Sequence, residues 1–315
     1  MKDPLKYLDY QVLLPMIARF PPPLAYRLAE WRGSWRYFAR SESRSAAIRN
    51  IAGAFSTFAP RQVKIVALRQ FQTASVDEME SSWFRKNPEF FERVTSIEGL
   101  EELRQAARAN RGVLIFLAHW GSPGIMFVAL GRKGLKFHVV VRPLNRDQDQ
   151  LHPAHVKWGM NRFADIEAAA GHPFLLTGQG NFPKMRDLLR NGELLMVPFD
   201  VTPQIVRSVA GVQFLGRDAY FPDGIARLHQ ETGAQVFQSL ILRSPHRPYQ
   251  SIRIREVKLS PGMTSQQIMQ KLVGILEEQI ISAPGHWTLW DSLEWFYREP
   301  DESQRVARRA EQENK

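Results

Sequence analysis

A run of apolar residues that ends in a histidine constrains the fold of this chain more than any other feature. Residues 112–118 read Gly-Val-Leu-Ile-Phe-Leu-Ala, a short apolar run typical of a buried strand. His119 follows directly, residues 120–124 turn the chain, and residues 125–130 resemble a short helix packed on a sheet. A titratable side chain at the carboxyl end of a buried strand lies where open α/β sheets bind ligands. His119 is therefore a candidate functional residue, although a lone histidine there can also cap a helix or bind a backbone carbonyl.

Further apolar runs alternate with helical patterns along the rest of the chain. Strands are predicted at residues 137–141, 194–199, 236–242 and 251–258, with helices between them. This order predicts an α/β fold, with a central, mainly parallel sheet flanked by helices on both faces and an amino-terminal helical extension. Because residues 251–258 alternate apolar and basic side chains, they resemble an edge strand with one wet face.

The same patterns divide the chain into three regions. Residues 1–95 are expected to form a helical, membrane-proximal region, and residues 96–298 an α/β domain. Residues 299–315 are highly charged and poor in apolar side chains, as in a solvated tail. Residues 1–298 are expected to form one compact unit.

Composition restricts the possible chemistry and partners. The chain of 315 residues has no cysteine, which excludes thiolate nucleophiles, disulfides and cysteine-bound zinc. A net charge of +10 indicates an anionic partner, such as an acidic membrane surface, nucleic acid or a phosphorylated ligand. The first apolar run, residues 12–20, is too short to span a bilayer.

Four arginines recur at every fourth position in the amino-terminal region. Their spacing would place Arg32, Arg36, Arg40 and Arg44 along one helical stripe, with aromatic residues at 31, 35, 37 and 38 among them. Arginine and aromatic side chains together suit the headgroup level of a bilayer. A solvated basic helix face with the aromatic residues in the core explains the pattern equally well.

Several familiar functional motifs are missing. The sequence contains no G-x-S-x-G elbow, P-loop or H-E-x-x-H motif. His152 and His155 have a spacing that could bind a metal, but a third ligand is missing nearby. We therefore predict no metal site and no cofactor. Nucleic-acid binding has only the net charge in its favour, so no nucleic-acid partner is predicted.

The order of these pieces over roughly residues 10–297 resembles the lipid A biosynthesis (lauroyl/myristoyl-type) acyltransferase family, within the glycerolipid acyltransferase superfamily. The resemblance rests on segments in a fixed order along the chain: a weakly apolar amino-terminal helix with an arginine-rich segment, the strand before His119, Phe137–Val141 followed by Arg142-Pro143 and Asn145, Arg162 and Gly171 before a helix that ends at Asn191-Gly192, Leu194–Phe199 followed by Asp200, Val212–Gly216, residues 226–234, and the tryptophan-containing end from Pro284. No single segment is specific, and the ordered set is more specific than any of its parts. It implies that His119 is a general base in acyl transfer.

In that family, a histidine and an acid five residues later form the catalytic pair. Here the fifth position after His119 is Gly124. Asp200 is the predicted replacement, because it ends another strand at the same edge of the sheet. It could instead be a helix N-cap or pair with Arg142 or Arg162. Without such an acid, the site suits an amine acceptor, which needs less base catalysis than a hydroxyl.

The resemblance also implies substrates and binding residues. The predicted reaction moves a fatty acyl group from acyl carrier protein or coenzyme A to a hydroxyl or amine of a lipid-like or amphipathic acceptor. The predicted substrate-binding residues are Arg142, Asn145, Arg162, Phe214 and Gly216. The expected location is cytoplasmic, peripheral on the anionic cytoplasmic face of the inner membrane. The alternative is a catalytically impaired relative that binds lipids or acyl chains or serves as a partner protein.

Overall fold

The computed structural model describes residues 4–144, 151–177 and 180–299 and contains twelve α-helices and nine strands within those ranges. The helices are α1 (Pro4–Leu8), α2 (Leu14–Ile17), α3 (Pro22–Ala39), α4 (Ser41–Ala54), α5 (Pro60–Glu80), α6 (Pro88–Val94), α7 (Leu100–Arg108), α8 (Pro123–Arg132), α9 (Pro153–Ala170), α10 (Phe182–Arg190), α11 (Gly224–Thr232) and α12 (Ser265–Ser282). The strands are β1 (Thr95–Glu98), β2 (Val113–Leu117), β3 (His138–Val141), β4 (Leu175–Leu176), β5 (Leu194–Pro198), β6 (Val209–Phe214), β7 (Arg217–Pro222), β8 (Gln235–Arg243) and β9 (Gln250–Glu256).

Seven of the strands form one mostly parallel sheet in the order β1-β9-β8-β2-β5-β3-β4. Only the β8–β9 pair is antiparallel among these strands, and β6 and β7 form a separate hairpin. Strand β2 is central and fully buried, and its side chains alternate between two cores. Leu114 and Phe116 pack on one face of the sheet, and Val113, Ile115 and Leu117 pack on the other. The predicted α/β fold, with helices on both faces, is confirmed.

One strand prediction is wrong. Residues 251–258 were expected at an edge, but β9 lies between β8 and β1. The edge position belongs to β1, a four-residue strand that pairs in parallel with β9 from Thr95 beside Gln250 to Glu98 beside Arg253. The alternating pattern indicates that one face of the strand is solvated. It does not distinguish an edge strand from a strand that pairs with a short neighbouring strand.

The amino-terminal helices pack against the sheet and against each other, and no strand precedes Thr95 in the described part of the chain. Helix α3 lies so close to α5 that a Cβ on Gly33 would be 2.6 Å from the Cα of Gln72. Glycine at 33 therefore permits close helix packing within a continuous α3. The predicted domain boundaries at 95 and 298 remain predictions, and residues 300–315 of the predicted tail lie outside the described residues.

The arginine stripe is not a surface for lipid or solvent at its first two positions, so both interpretations of the pattern need correction. Arg32 is 1% exposed, and its guanidinium binds both carboxylate oxygens of Asp9 at 2.6 Å and Glu78 Oε2 at 2.6 Å. Arg36 also pairs with Glu78. Burial alone would raise the pKa of Glu78, but the two guanidinium groups lower it well below its usual range. Between positions 31 and 38, the side chains that α3 exposes are aromatic instead: Trp31, Trp35 and Phe38.

Candidate active site

His119 and Asp200 meet at the carboxyl edge of the central sheet. His119 lies two residues after β2, Asp200 lies two residues after β5, and these strands are parallel neighbours. The ring Nδ1 of His119 lies 2.8 Å from Oδ1 of Asp200. The Asp200 side chain is completely buried, whereas 43% of the His119 side chain is exposed. The buried partner therefore holds a ring whose other edge can be reached from solvent.

The second oxygen of Asp200 is held just as firmly as the first. Oδ2 accepts hydrogen bonds from the backbone N–H of His119 at 2.8 Å and from Trp287 Nε1 at 2.9 Å. With both oxygens bound, the carboxylate cannot rotate, and Oδ1 is directed at Nδ1. An Nδ1–H that donates to Oδ1 leaves the lone pair of the imidazole on Nε2, as a general base requires.

The electrostatics of the pair favour a proton on the ring. Desolvation by the surrounding protein would lower the pKa of His119. The charge and hydrogen bonds of Asp200, with a further contribution from the charge of Asp77, outweigh it and raise the pKa of His119 above its ordinary value of 6.5. The ring therefore binds a proton more tightly than a free histidine does, and stabilises the positive charge that a base acquires during proton transfer.

The segment that follows α12 fixes the backbone around His119. The carbonyl of His119 accepts hydrogen bonds from the backbone N–H of Thr288 at 2.9 Å and from its hydroxyl at 3.0 Å. The N–H of Gly121 donates to the carbonyl of His286 at 2.9 Å. Sequence reasoning assigned no role to Trp287 or Thr288, and the only signal for them was the resemblance of residues 284–290 to the tryptophan-containing end of the family.

Gly124 is the second residue of α8, and its surroundings leave no room for a side chain. A Cβ there would lie 2.5 Å from Nη2 of Arg162 and 2.7 Å from Cζ of Phe84. Arg162 is held in place, because its Nη2 lies 2.9 and 2.8 Å from the two carboxylate oxygens of Asp77. Gly124 does not adopt a positive φ. The restriction at position 124 is therefore steric, because the guanidinium of Arg162 occupies the space that a side chain would need.

We expect Gly124→Ala to destabilise the protein by about 1–3 kcal/mol, because the new methyl group overlaps Arg162 and Phe84. The matched control is Gly53→Ala in the exposed part of α4, where a Cβ meets nothing within 4 Å. That change should stabilise the helix by about 0.5–1 kcal/mol. Urea unfolding of the two variants measures the difference. Equal stabilisation by both would show that the space at position 124 is open.

The other predicted site residues are dispersed. Arg142 is exposed just after β3, and Arg162 pairs with Asp77 as described. Phe214 is completely buried, and its ring packs edge-on against Trp287 with the centroids 5.9 Å apart, so it supports the site from behind. Gly216 lies in the turn of the β6–β7 hairpin with a φ of 76°. Asn145 lies outside the described residues. The substrate-binding roles of all five remain predictions.

Comparison with known families bears on what this site does. Residues 5–293 match the sequence profile of the bacterial lipid A biosynthesis acyltransferases. The chain belongs to this family. The match covers the amino-terminal helices, the whole central sheet and the segment with Trp287, so it includes every element that positions His119. Comparison with curated proteins finds no significant match.

Proposed function

We propose that this protein transfers a fatty acyl group from the thioester of acyl carrier protein or coenzyme A to a lipid-like acceptor, with His119 as the general base. The observation that carries the proposal is the contact of His119 Nδ1 with the buried Asp200 carboxylate, in a chain of the lipid A acyltransferase family. Because Nδ1 is held by Asp200, Nε2 is the nitrogen that can take the proton of the acceptor.

The proposed reaction proceeds in two proton transfers. Nε2 of His119 removes the proton of an acceptor hydroxyl as its oxygen attacks the thioester carbonyl. The tetrahedral intermediate collapses, the carbon–sulfur bond breaks, and the leaving sulfur takes the proton from the imidazolium. Asp200 stabilises the imidazolium between the two steps. An amine acceptor attacks with its own lone pair and loses its proton later, so it depends less on the base.

A groove of about 450 Å³ at the same edge of the sheet is a candidate binding site for the acyl chain. Its lining includes Val140 at the end of β3, Leu176 in β4, and Phe182 and Met185 in α10. His119 is not among the lining residues. Strands β2 and β3 are separated by two strand spacings, about 10 Å, which a fatty acyl chain attached at the catalytic site can span.

Purified protein should release free thiol from an acyl thioester when a lipid A precursor is present in mixed vesicles. The chain has no cysteine, so a thiol reagent reports the leaving group without background from the enzyme. Parallel assays with acyl carrier protein and coenzyme A thioesters identify the donor, and a primary-amine amphiphile in place of the precursor identifies the acceptor. If both donors and both acceptors give no transfer, the protein is instead the impaired, lipid-binding relative.

We also propose that exposed apolar side chains of the amino-terminal region dock the protein on an anionic bilayer. Within the described residues, no helix combines the length and the apolar character needed to cross a membrane. Large apolar side chains are exposed throughout residues 5–38: Leu5, Leu8, Val12, Met16, Phe20, Leu24, Trp31, Trp35 and Phe38. Aromatic rings of this kind bury at the headgroup level, and a net charge of +10 favours acidic lipids.

Replacing Trp31, Trp35 and Phe38 together with serine should weaken binding to anionic liposomes by about a hundredfold or more, since each ring loses its apolar contact with the bilayer. Flotation measures the bound fraction, and higher salt should lower it further because it screens the charge. Ile281→Ser is the matched control, since Ile281 is 57% exposed in α12. Unchanged flotation of the triple variant would show that another surface binds the membrane.

A further inference from the structure

Three potential metal ligands lie together at the amino edge of the sheet, opposite the edge that carries His119. His138 is the first residue of β3, Glu193 immediately precedes β5, and His172 follows α9 in the turn towards β4. One ligand atom from each residue lies within 4.8 Å of the other two. Since β3 is paired with both β4 and β5, the fold itself brings the three together.

His138 is the buried member of this cluster and already contacts Glu193. Its side chain is 9% exposed, and its Nε2 lies 2.9 Å from Oε2 of Glu193. Its Nδ1 is buried without a hydrogen-bond partner among the described residues. The ring of His172 stacks on it with the centroids 4.0 Å apart and supplies no hydrogen bond to that atom. Because Nε2 is the nitrogen that faces Glu193, a metal ion shared with Glu193 would bind Nε2 in place of the proton between the two side chains, and Nδ1 would take no part in the site.

We propose that His138, His172 and Glu193 bind a divalent transition metal ion of the zinc type. Two imidazoles and one carboxylate form a frequent ligand set for zinc, with a fourth position left for water. Bond lengths of about 2.0–2.2 Å bring the ligand atoms of such a site to within roughly 3.5 Å of one another. His172 and Glu193 are partly exposed, so their side chains can close the remaining distance around the buried His138.

The metal would act on structure, because the cluster and His119 lie at opposite ends of the parallel strands. It would join the turn after α9 to the beginnings of β3 and β5, three segments that are far apart in the sequence. Zinc should therefore raise the melting temperature of the folded protein, since an ion that binds only the native state stabilises it.

Titration of the chelator-treated, full-length protein with zinc chloride, followed by calorimetry and thermal unfolding, tests the proposal. We expect one equivalent of zinc to bind and the melting temperature to rise. His172→Ala and Glu193→Gln should each weaken binding by about tenfold or more. Both positions are partly exposed, so both variants should fold. His246→Ala, in the exposed loop between β8 and β9, is the matched control and should bind zinc like the wild-type protein.

Cobalt gives a second readout, because its visible absorption reports nitrogen and oxygen ligands in a tetrahedral site. The spectrum should appear in the wild-type protein and in His246→Ala, and be lost in the double variant of His172 and Glu193. If zinc does not bind the folded wild-type protein, or binds the double variant equally well, the site does not exist and the cluster is only a hydrogen-bonded pair with a stacked ring.

Discussion

His119→Ala should reduce acyl transfer by about a hundredfold to ten-thousandfold, because the acceptor hydroxyl then loses the base that we propose for it. The variant should remain folded, since its backbone N–H and carbonyl still bind Asp200 and Thr288. His119→Gln is the sharper companion, because its amide can still contact Asp200 but cannot accept a proton near neutral pH. The rate of thiol release at saturating donor measures the effect of each change.

His246→Ala controls for the loss of an imidazole elsewhere on the molecule and should leave the transfer rate unchanged. If His119→Gln transfers acyl groups at the wild-type rate, His119 is not the base. Activity of the wild-type protein should increase with pH through a value above 6.5, because the raised pKa of His119 keeps the ring protonated at lower pH.

Asp200→Asn should lower the rate with a hydroxyl acceptor by about a hundredfold or more, for a reason specific to this geometry. The amide oxygen will replace Oδ2, which accepts two N–H donors, from His119 and Trp287. The amide nitrogen then faces Nδ1 and donates to it. This contact moves the ring proton to Nε2, and His119 can no longer accept a proton from the acceptor.

Two further measurements separate this effect from simple misfolding. Without the Asp200 charge, the pKa of His119 should fall, so the rising limb of the pH–rate profile should move to lower pH even as the maximum rate decreases. Trp287→Phe removes one hydrogen bond to Asp200 and keeps a large ring in place. It should therefore lower the transfer rate far less than Asp200→Asn does. An unchanged rate in a folded Asp200→Asn variant would exclude Asp200 and leave the amine acceptor as the better interpretation.

The strand framework of the site could be predicted from the sequence because its signals are local. Residues 112–118 and 194–199 are continuous apolar runs, and parallel neighbours end at one edge, so His119 and Asp200 could be expected there together. The contact between them is in the structure, but their catalytic roles are still predictions.

Features that depend on distant partners could not be predicted in this way. Nothing near Arg32 in the sequence indicates that Asp9 and Glu78 enclose it, and the aromatic residues beside it were therefore assigned to the wrong environment in one of the two interpretations. Likewise, the sequence shows an acid missing at Gly124 but not the guanidinium of Arg162 that occupies the space.

The histidine residues show the same difference between local sequence signals and contacts that form only on folding. His152 and His155 have metal-like spacing, yet His155 stacks on Tyr10 with the rings 5.0 Å apart and nearly parallel. The three residues that do converge are separated in the sequence and meet only through the pairing of β3, β4 and β5. Spacing in the sequence identifies ligands that share one helix, and it does not identify ligands brought together by a sheet.

The hydrogen bonds from Thr288 to His119 affect when the site can form during synthesis of the chain. The two residues are 169 positions apart, so His119 emerges from the ribosome long before the segment that holds its carbonyl and the Asp200 carboxylate in place. A nascent chain that has formed β2 and β5 still lacks Trp287. In the proposed mechanism, His119 and Asp200 are therefore fully held in place only after residue 288 has left the ribosome, so shorter nascent chains should not transfer acyl groups.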